Sequence, residues 1–199
     1  MHQLIFATNN INKVTEIRHV LGDQIEILSL AEAGIWVDIA EPFDTLEKNA
    51  VEKATVIYTM KAVSCFAEDT GLEVTALKGA PGVHSARYAG EERSFEKNID
   101  KLLFELKDAN NRTARFRTVI CLVEDGQPRL FEGACEGTIT TQRLGHSGFG
   151  YDAVFIPNGA SRTFAEMNLD EKNSYSHRQK ATAQLIRHLK KSGRMDNGK

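Results

Sequence analysis

The sequence predicts an α/β fold with a mixed β-sheet flanked by helices. Strand-like apolar runs alternate with amphipathic helical patterns in the first half of the chain, and a long β-hairpin follows in the second half. The chain has 199 residues, 41% of them hydrophobic, so it can bury a core without disulfides. We expect a single α/β domain over residues 1–191 and a polar, frayed tail over residues 192–199.

The first half of the chain alternates strands with helices. Apolar runs that stop at polar residues predict strands, and apolar residues spaced three or four apart predict helices. The helix that begins near Leu46 has Asp44 or Thr45 as its N-cap, because either side chain can accept a hydrogen bond from the first turn. The predicted strands cover residues 4–6, 25–30 and 62–67, and the predicted helices cover 14–21 and 46–60.

The second half opens with an irregular, glycine-containing segment at residues 71–94. Further along, two runs rich in β-branched and aromatic residues are joined at Asp125-Gly126, which is a strong signal for a β-hairpin turn. The predicted elements of this half are helices at 95–106 and 181–189 and strands at 113–124, 128–140 and 153–156.

The charge balance argues against two classes of function. With 25 basic and 27 acidic residues, the chain lacks the basic excess that is typical of nucleic-acid coats and membrane-surface proteins. The apolar run at residues 4–6 leads directly into polar residues, so we expect neither a signal peptide nor a membrane span. We therefore predict a cytoplasmic protein that binds neither nucleic acid nor membranes.

The three cysteines are odd in number and widely spaced, which argues against a disulfide framework. Cys65 and Cys121 lie in apolar stretches, where cysteine acts as a small hydrophobic residue. We expect these two and Cys135 to be reduced core residues.

A first candidate site is the polar segment 8–13, where a predicted strand ends and a helix begins. Unpaired backbone N–H groups and the positive end of the helix dipole favour an anion at such a point. Lys13 adds a cation in the first turn, where a purely structural helix favours an acidic residue. The alternative is a capped helix with a solvated lysine, because the glycine-rich phosphate-loop pattern is absent.

A second candidate is the acidic pair Glu68-Asp69, which follows an apolar strand at a position where open α/β sheets bind ligands. Adjacent strand residues cannot both point to one face, so one carboxylate could bind a hard cation while the other orients water. The alternative is an Asx turn in which Asp69 bonds the backbone at Gly71. Taken alone, Glu41 carries no functional signal, because a glutamate in a loop is most often simply exposed to solvent.

A third candidate is the loop 145–152, which combines three glycines with two aromatic residues. A backbone that bends sharply beside flat rings suits a nucleotide base, because an aromatic face can stack on a purine. A hairpin turn with one packed aromatic residue is the alternative.

A fourth candidate is Ser176-His177-Arg178, in which Ser176 resembles a helix cap and the two basic residues occupy the first turn. Both basic side chains donate hydrogen bonds, which suits the 6-keto oxygen of hypoxanthine, xanthine or guanine. The same donors would be left unpaired against the 6-amino group of adenine. A solvated basic pair is the alternative.

Together these segments resemble the inosine-triphosphate pyrophosphatase family from about residue 3 to residue 190. Six blocks in the same order are hard to obtain by chance. The blocks are Thr8-x-Asn10-x-x-Lys13, Thr45-Leu46-x-x-Asn49-Ala50-x-x-Lys53-Ala54, Asp69-Thr70-Gly71-Leu72, Gly79-Ala80-Pro81-Gly82-Val83-x-Ser85-Ala86-Arg87-Tyr88, Gly148-Phe149-Gly150-Tyr151-Asp152 and Ser176-His177-Arg178.

The resemblance implies a Mg2+-dependent enzyme that hydrolyses ITP, dITP and XTP to the nucleoside monophosphate and pyrophosphate. It implies that Glu41 and Asp69 bind Mg2+ and that Asp69 is also the base toward the attacking water. It further implies an elongated sheet, two lobes with a central active-site cleft, and a homodimer. The implied substrate-binding residues are Thr8, Asn9, Asn10, Ile11, Asn12, Lys13 and Lys53 for the triphosphate, Thr70 for the substrate generally, and Phe149, Gly150, Tyr151, Asp152, Lys172, His177 and Arg178 for the base.

Two positions depart from the family pattern. Family members often carry Glu where this chain has Lys48, which puts in doubt any carboxylate role at that position. They often carry Asp where this chain has Glu68, which reaches one methylene further. A module that senses nucleotides without turnover is the rival in another functional class, and the presence of Asp69 and Glu41 argues against it. A nearer rival is a pyrophosphatase that acts on pyrimidine or methylated nucleotides, and His177-Arg178 after Ser176 favours a keto purine instead.

Overall fold

A computed structural model describes residues 3–22 and 25–193 of the chain. Most of the predicted tail, residues 194–199, lies outside the described residues. The strands are β1 (Gln3–Phe6), β2 (Glu26–Ser29), β3 (Cys65–Val74), β4 (Pro81–Gly82), β5 (Thr113–Glu124), β6 (Gln127–Ile139) and β7 (Phe155–Pro157). The helices are α1 (Ile11–Leu21), α2 (Leu46–Lys61), α3 (Phe95–Glu105), α4 (Leu169–Tyr175) and α5 (His177–Lys191), with short 3-10 helices at 75–77, 85–87, 152–154 and 164–166.

The strands form a mixed sheet in the order β2-β1-β3-β5-β6-β7, with β4 paired to β3. Strand β1 runs parallel to both β2 and β3. The β3–β4 and β6–β7 pairs are antiparallel. The α/β class and the mixed sheet predicted from the sequence are therefore confirmed.

The chain divides into two compact units, each with its own hydrophobic core. Unit 1 comprises Met1–Asp69, Thr118–Gly133 and Arg178–Lys199, and unit 2 comprises Thr70–Arg117 and Ala134–His177. That residues 1–191 fold as one domain stays a prediction.

The core of unit 1 joins the first strands to two helices. The Phe6 and Phe66 rings stack at 4.5 Å between centroids. Apolar residues of α1 and α5, among them Ile17 and Leu185, pack in the same cluster and have no exposed surface. Burying a side chain of this size contributes about 1.5–3 kcal/mol, so this cluster anchors β1, which leads into segment 8–13, and β3, which carries Glu68 and Asp69.

The core of unit 2 is rich in aromatic rings. Phe116 lies 4.7 Å from Phe155 between ring centroids, with the ring planes inclined at 62°. Phe164 lies 5.3 Å from Phe155 on the same measure. The apolar face of α3, including Leu102, belongs to the same cluster.

The hairpin of β5 and β6 has the predicted turn. Asp125 and Gly126 both have positive φ, 50° and 74°, as a two-residue hairpin turn that follows the twist of its strands requires. Strand β5 has the predicted bounds, and β6 begins and ends one residue earlier than predicted.

The prediction that the third strand ends at residue 67 is wrong, because β3 continues through Glu68 and Asp69 to Val74. Two charged residues in sequence indicate a strand end, but here both carboxylates are paired with cations and can be buried within a strand. Beyond them, Gly71 permits the close approach of β4, since a Cβ at Gly71 would lie 2.6 Å from the carbonyl oxygen of Gly82.

No hydrophobic pattern in the sequence indicated α4, whose buried residue is Lys172. A helix that buries a charged residue rather than an apolar stripe has no hydrophobic periodicity to detect. Its start is nevertheless marked by Asn168, whose side chain accepts a hydrogen bond from the N–H of Glu171 at 2.9 Å.

All three cysteines are buried. Burial raises the pKa of the Cys65 thiol to about 12 and that of Cys121 to about 11. Since the thiolate is the reactive form, we expect no cysteine to react with Ellman's reagent at pH 8 in the native protein, and all three to react in denaturant. Rapid modification of one thiol under native conditions would contradict this prediction.

Within residues 3–22 and 25–193, none of the helices combines the length and apolar character that crossing a bilayer requires.

Candidate active site

The centre of the candidate site in unit 1 is the Asp69 carboxylate on β3. The Lys53 ammonium lies 3.1 Å from Asp69 Oδ1 and 2.5 Å from Glu41 Oε1. Asn49 donates from Nδ2 to Asp69 Oδ2 at 3.3 Å. The structure therefore brings together the three residues that the resemblance assigns to metal, phosphate and water, and adds Asn49 to them.

The spacing along α2 explains this arrangement. Asn49 and Lys53 are four residues apart, which places both side chains on one face of the helix. They share that face with Ala50, Ala54 and Ile57, all fully buried. The apolar residues fix the helix against the core, so the two polar side chains reach β3 from a fixed position.

Burial and pairing set the charge states at this centre. Burial raises the pKa of the Asp69 carboxyl, which the Lys53 ammonium partly offsets and the Glu41 carboxylate reinforces. For Lys53, burial alone lowers the pKa, but the attraction of Asp69 and Glu41 outweighs it, and the pKa is raised. Lys53 therefore remains a cation held between two carboxylates.

The donor set of this centre fits a hard cation. Glu41 and Asp69 present carboxylate oxygens that converge on one point of positive charge, the Lys53 ammonium. Mg2+ takes one or two carboxylates and fills its remaining positions with water and substrate phosphates. Among the described residues no group of three or more His, Cys, Asp and Glu side chains could cage a metal by itself, so phosphate and water would complete the coordination.

The segment after β1 is a capped helix start. The Asn10 side chain accepts hydrogen bonds from the backbone N–H groups of Asn12 and Lys13, at 3.0 and 3.4 Å. Thr8 Oγ1 accepts from the N–H of Asn10 at 3.1 Å. The first turn of α1 has no acidic residue. The helix cap of the alternative is thus confirmed, but its solvated lysine is not, and phosphate binding by Thr8, Asn9, Asn10, Ile11, Asn12 and Lys13 stays a prediction.

Lys13 is not the solvated lysine that the alternative supposed. Its ammonium lies 3.0 Å from Glu68 Oε1, and its side chain is 17% exposed. An ammonium has three donors, so the contact with Glu68 orients Lys13 and leaves it able to bind an anion.

Glu68 also holds Arg178, which lies at the start of α5. Arg178 donates from Nε to Glu68 Oε2 at 2.8 Å and from Nη2 to Oε1 at 2.9 Å. It also donates from Nη1 to Glu16 Oε2. Glu16, Glu68 and Arg178 are all buried, so the cluster of Lys13, Glu68, Arg178 and Glu16 balances two cations with two anions inside unit 1.

This cluster shows what the Glu68 carboxylate does. Burial would raise the pKa of Glu68, but Arg178 and Lys13 outweigh burial and hold the pKa well below its usual range. Glu68 and Asp69 serve different partners, as expected for neighbours on a strand. The longer side chain at position 68 binds Arg178 and Lys13, whereas Asp69 binds Lys53 and Asn49. The Asx-turn alternative at Asp69 is wrong, because β3 is extended through this position.

In unit 2, the loop before β7 is organised around Asp152. Lys172 Nζ donates to Asp152 Oδ2 at 2.6 Å, and the N–H of Phe149 donates to the same oxygen at 3.0 Å. The Lys172 ammonium lies 5.1 Å from the centre of the Phe149 ring. Gly148 must be glycine, since it has φ 77° and a Cβ there would lie 2.1 Å from Asp152 Oδ2.

His177 joins the same region of unit 2 through ring contacts. Its imidazole stacks on Phe116 at 4.6 Å between centroids and 12° between planes. Tyr151 has a structural contact, because its hydroxyl donates to the carbonyl of Ser85 at 2.9 Å and the residue is buried. Of the predicted base-binding residues, unit 2 therefore gathers Phe149, Gly150, Tyr151, Asp152, Lys172 and His177, and it also contains Thr70.

A pocket of about 210 Å³ lies beside the Phe149 loop in unit 2. It adds residues that the sequence did not indicate, Phe95 and Arg143. The Phe95 and Phe149 rings are 6.1 Å apart. In the sequence Phe95 belonged only to the helical pattern of residues 95–106, and its exposure beside the loop is seen only in the fold.

Lys48, the other departure from the family pattern, lies away from these contacts. Its side chain is 61% exposed and lies 3.6 Å from Asp44. An exposed pair of this kind contributes little to stability, and the contacts described at Asp69 involve Lys53, Glu41 and Asn49 rather than Lys48.

Comparison with known proteins gives a consistent result. The sequence profile of the Ham1 family matches residues 4–188. The dITP/XTP pyrophosphatase of Flavobacterium psychrophilum is 50% identical over 184 residues, covering 92% of this chain and 97% of that protein. The dITP/XTP pyrophosphatase of Porphyromonas gingivalis is 52% identical over 186 residues, covering 93% of this chain and 96% of that protein.

Among solved structures, a HAM1 protein from Coxiella burnetii superimposes with a TM-score of 0.87 at 36% identity. The match covers 96% of this chain and 100% of that chain.

Proposed function

This chain belongs to the Ham1 family, and from that premise we propose that it hydrolyses ITP, dITP and XTP to the nucleoside monophosphate and pyrophosphate. This activity removes non-standard purine nucleotides from the nucleotide pool. The observation that carries the proposal is the buried Asp69 carboxylate, held by Lys53 and Asn49 beside Glu41. The relatives that are dITP/XTP pyrophosphatases support the substrate class.

Hydrolysis between the α and β phosphates requires an aligned water and compensation of charge on the leaving pyrophosphate. Asp69 orients the water and accepts its proton. Lys13 and Lys53 bind phosphate oxygens, each using ammonium donors beyond those that contact carboxylates. Glu41 and Asp69 hold Mg2+, which when bound stabilises the charge that develops on the phosphates.

Selection of the base falls to the residues around Phe149. The Phe149 ring offers a stacking face, which is worth about 1–3 kcal/mol per base at single-strand nucleic-acid sites. Lys172 and His177 offer donors for the 6-keto oxygen of a deaminated purine. Arg178 has three of its donors engaged by Glu68 and Glu16. Its contact with the base stays a prediction, and its ion pairs with these two carboxylates are a second, structural role.

Pyrophosphate release from ITP, XTP, dITP, GTP, ATP and dUTP in the presence of Mg2+ tests the proposal. We expect kcat/KM for ITP to exceed that for ATP by on the order of 10⁴-fold, because the 6-amino group leaves buried donors unpaired. Equal turnover of ITP and ATP would overturn the assignment of the base.

The same assay after treatment with a chelator examines the metal. Pyrophosphate release should stop when the divalent cation is removed and return when Mg2+ is added. A nucleotide-sensing module would release no pyrophosphate from any nucleotide of the panel under either condition.

The homodimer, the central cleft and the cytoplasmic location implied by the resemblance stay predictions. Sedimentation velocity of the purified chain measures directly whether it is a homodimer.

A further inference from the structure

Asn49 makes three side-chain hydrogen bonds, and the proposed binding of metal and phosphates assigns no role to this residue. Its Oδ1 accepts from the backbone N–H of Phe43 at 2.9 Å, and its Nδ2 donates to the backbone carbonyl of Phe43 at 3.0 Å. The same Nδ2 donates to Asp69 Oδ2 at 3.3 Å. The residue is 1% exposed.

The side chain of asparagine is suited to this position. The contact uses both amide hydrogens and the amide oxygen, and asparagine presents these groups on a short stem. Aspartate has the same shape but would offer no hydrogen to the Phe43 carbonyl or to the Asp69 carboxylate when ionised. Because leaving a buried donor or acceptor without a partner is destabilising, the three bonds define the position of the Phe43 backbone relative to Asp69.

Phe43 lies two residues after Glu41, in the loop that leads into α2. Asn49 therefore connects the backbone of the Glu41 loop to the carboxylate of Asp69. Lys53 also bridges Glu41 and Asp69, but its ion pairs use their carboxylate oxygens, which are the atoms that a metal ion would bind. Two of the three Asn49 bonds go to the main chain of this loop and the third goes to Asp69, so these bonds do not use the Glu41 carboxylate.

We propose that Asn49 is a positioning residue that holds the Glu41 loop at the distance from Asp69 that lets both carboxylates bind one Mg2+. The inference rests on the proposed function, in which Glu41 and Asp69 hold that ion. In this role Asn49 acts through its bonds to the Phe43 backbone and to Asp69, which place Glu41 and Asp69.

The chain provides a matched control in Asn98 of α3. Asn98 is 2% exposed and makes the same kind of contact with a loop backbone. Its Oδ1 accepts from the N–H of Ala89 at 2.7 Å, and its Nδ2 donates to the carbonyls of Ser85 and Ala86 at 3.3 and 3.0 Å. These three hydrogen bonds go to backbone groups of unit 2, so Asn98→Ala removes a similar set of bonds without touching Glu41 or Asp69.

The test compares Asn49→Ala with Asn98→Ala and the wild-type chain. Chemical unfolding measures stability, calorimetric titration with Mg2+ alone measures metal binding, and pyrophosphate release from ITP across Mg2+ concentrations gives kcat and KM. We expect both variants to lose stability, but only Asn49→Ala to need about 10–100-fold more Mg2+ or to lose a similar factor in kcat. Its KM for ITP at saturating Mg2+ should stay unchanged.

An Asn49→Ala variant with wild-type Mg2+ binding, Mg2+ requirement and kcat would overturn the inference. So would an equal loss of Mg2+ affinity in Asn98→Ala, because the effect would then follow from stability alone. If Asn49→Ala does not fold, Asn49→Ser leaves room for water at the Phe43 backbone and is subject to the same expectations. A wild-type chain that works without a divalent cation would contradict the proposed function itself, whereas a Mg2+-dependent wild type with a normal Asn49 variant contradicts only this inference.

Discussion

Replacing Asp69 with asparagine should lower kcat for ITP by about 10²–10⁴-fold, the range associated with the loss of a general base. The amide has nearly the shape of the carboxylate but cannot accept a proton from water. It also removes the negative charge that faces Lys53 and one of the two carboxylates assigned to Mg2+. Much of the affinity for the nucleotide should remain, because the phosphate-binding and base-binding residues are unchanged. Steady-state kinetics with ITP, together with equilibrium binding of the nucleotide, measures both quantities.

Asp108→Asn is the control for this substitution. Asp108 is also an aspartate, but its side chain is 89% exposed, and its lysine contact, Lys107, is 4.0 Å away. The control should keep wild-type kinetics. If Asp69→Asn retained its turnover, Asp69 would not be the base, and a mechanism with a different base would have to replace it.

Replacing Arg178 with methionine should destabilise the fold by about 3–5 kcal/mol, the cost typical of removing one partner from a buried ion pair. Methionine retains the bulk of the stem, so the loss is mainly one of charge and hydrogen bonds. Glu16 and Glu68 would stay buried without the guanidinium that binds both. Urea unfolding followed by circular dichroism gives the difference in free energy.

Arg162→Met is the matched control for Arg178→Met. Arg162 binds both carboxylate oxygens of Glu171 from Nη2, at 2.6 and 2.8 Å, but its side chain is 53% exposed. Exposed pairs are worth about 0–1 kcal/mol, so this variant should unfold close to the wild-type midpoint. Equal losses in the two variants would show that burial of the Arg178 cluster is not the source of its stability. Adding Glu68→Gln to Arg178→Met should recover part of the loss, because one unpaired buried charge is removed.

The sequence predicted best the elements whose signals are local. The β5–β6 hairpin was predicted closely because Asp125-Gly126 fits a two-residue turn and the flanking runs favour strands. The prediction failed for β3, where two consecutive acidic residues resembled a strand end. It also failed for α4, whose buried Lys172 interrupts any apolar stripe. In both places a partner distant in sequence stabilises a buried charge, which no local pattern shows.

The same limit applies to the candidate site. The expectation that Glu68 and Asp69 cannot point to one face agrees with their separate contacts, but the cationic partners of each carboxylate were not predicted. Arg178 is 110 residues from Glu68 along the chain and 162 from Glu16. The residues of the Asp69 centre were identified through the family resemblance. Asn49 belonged to one of the resembling blocks, but only the fold shows that it joins Phe43 to Asp69.

The alternation of Glu68 and Asp69 has a consequence for how β3 finds its place in the sheet. Strand β3 lies beside β1 with Phe6 opposite Phe66. A slip by one residue would turn every β3 side chain to the opposite face. Lys53 would lose the Asp69 carboxylate, and Arg178 would lose the two carboxylate oxygens of Glu68 that it binds. Misregistered pairing of β3 is therefore penalised by unpaired buried charge as well as by misplaced apolar residues, so the residues assigned to catalysis also help to specify the register of the strand that carries them.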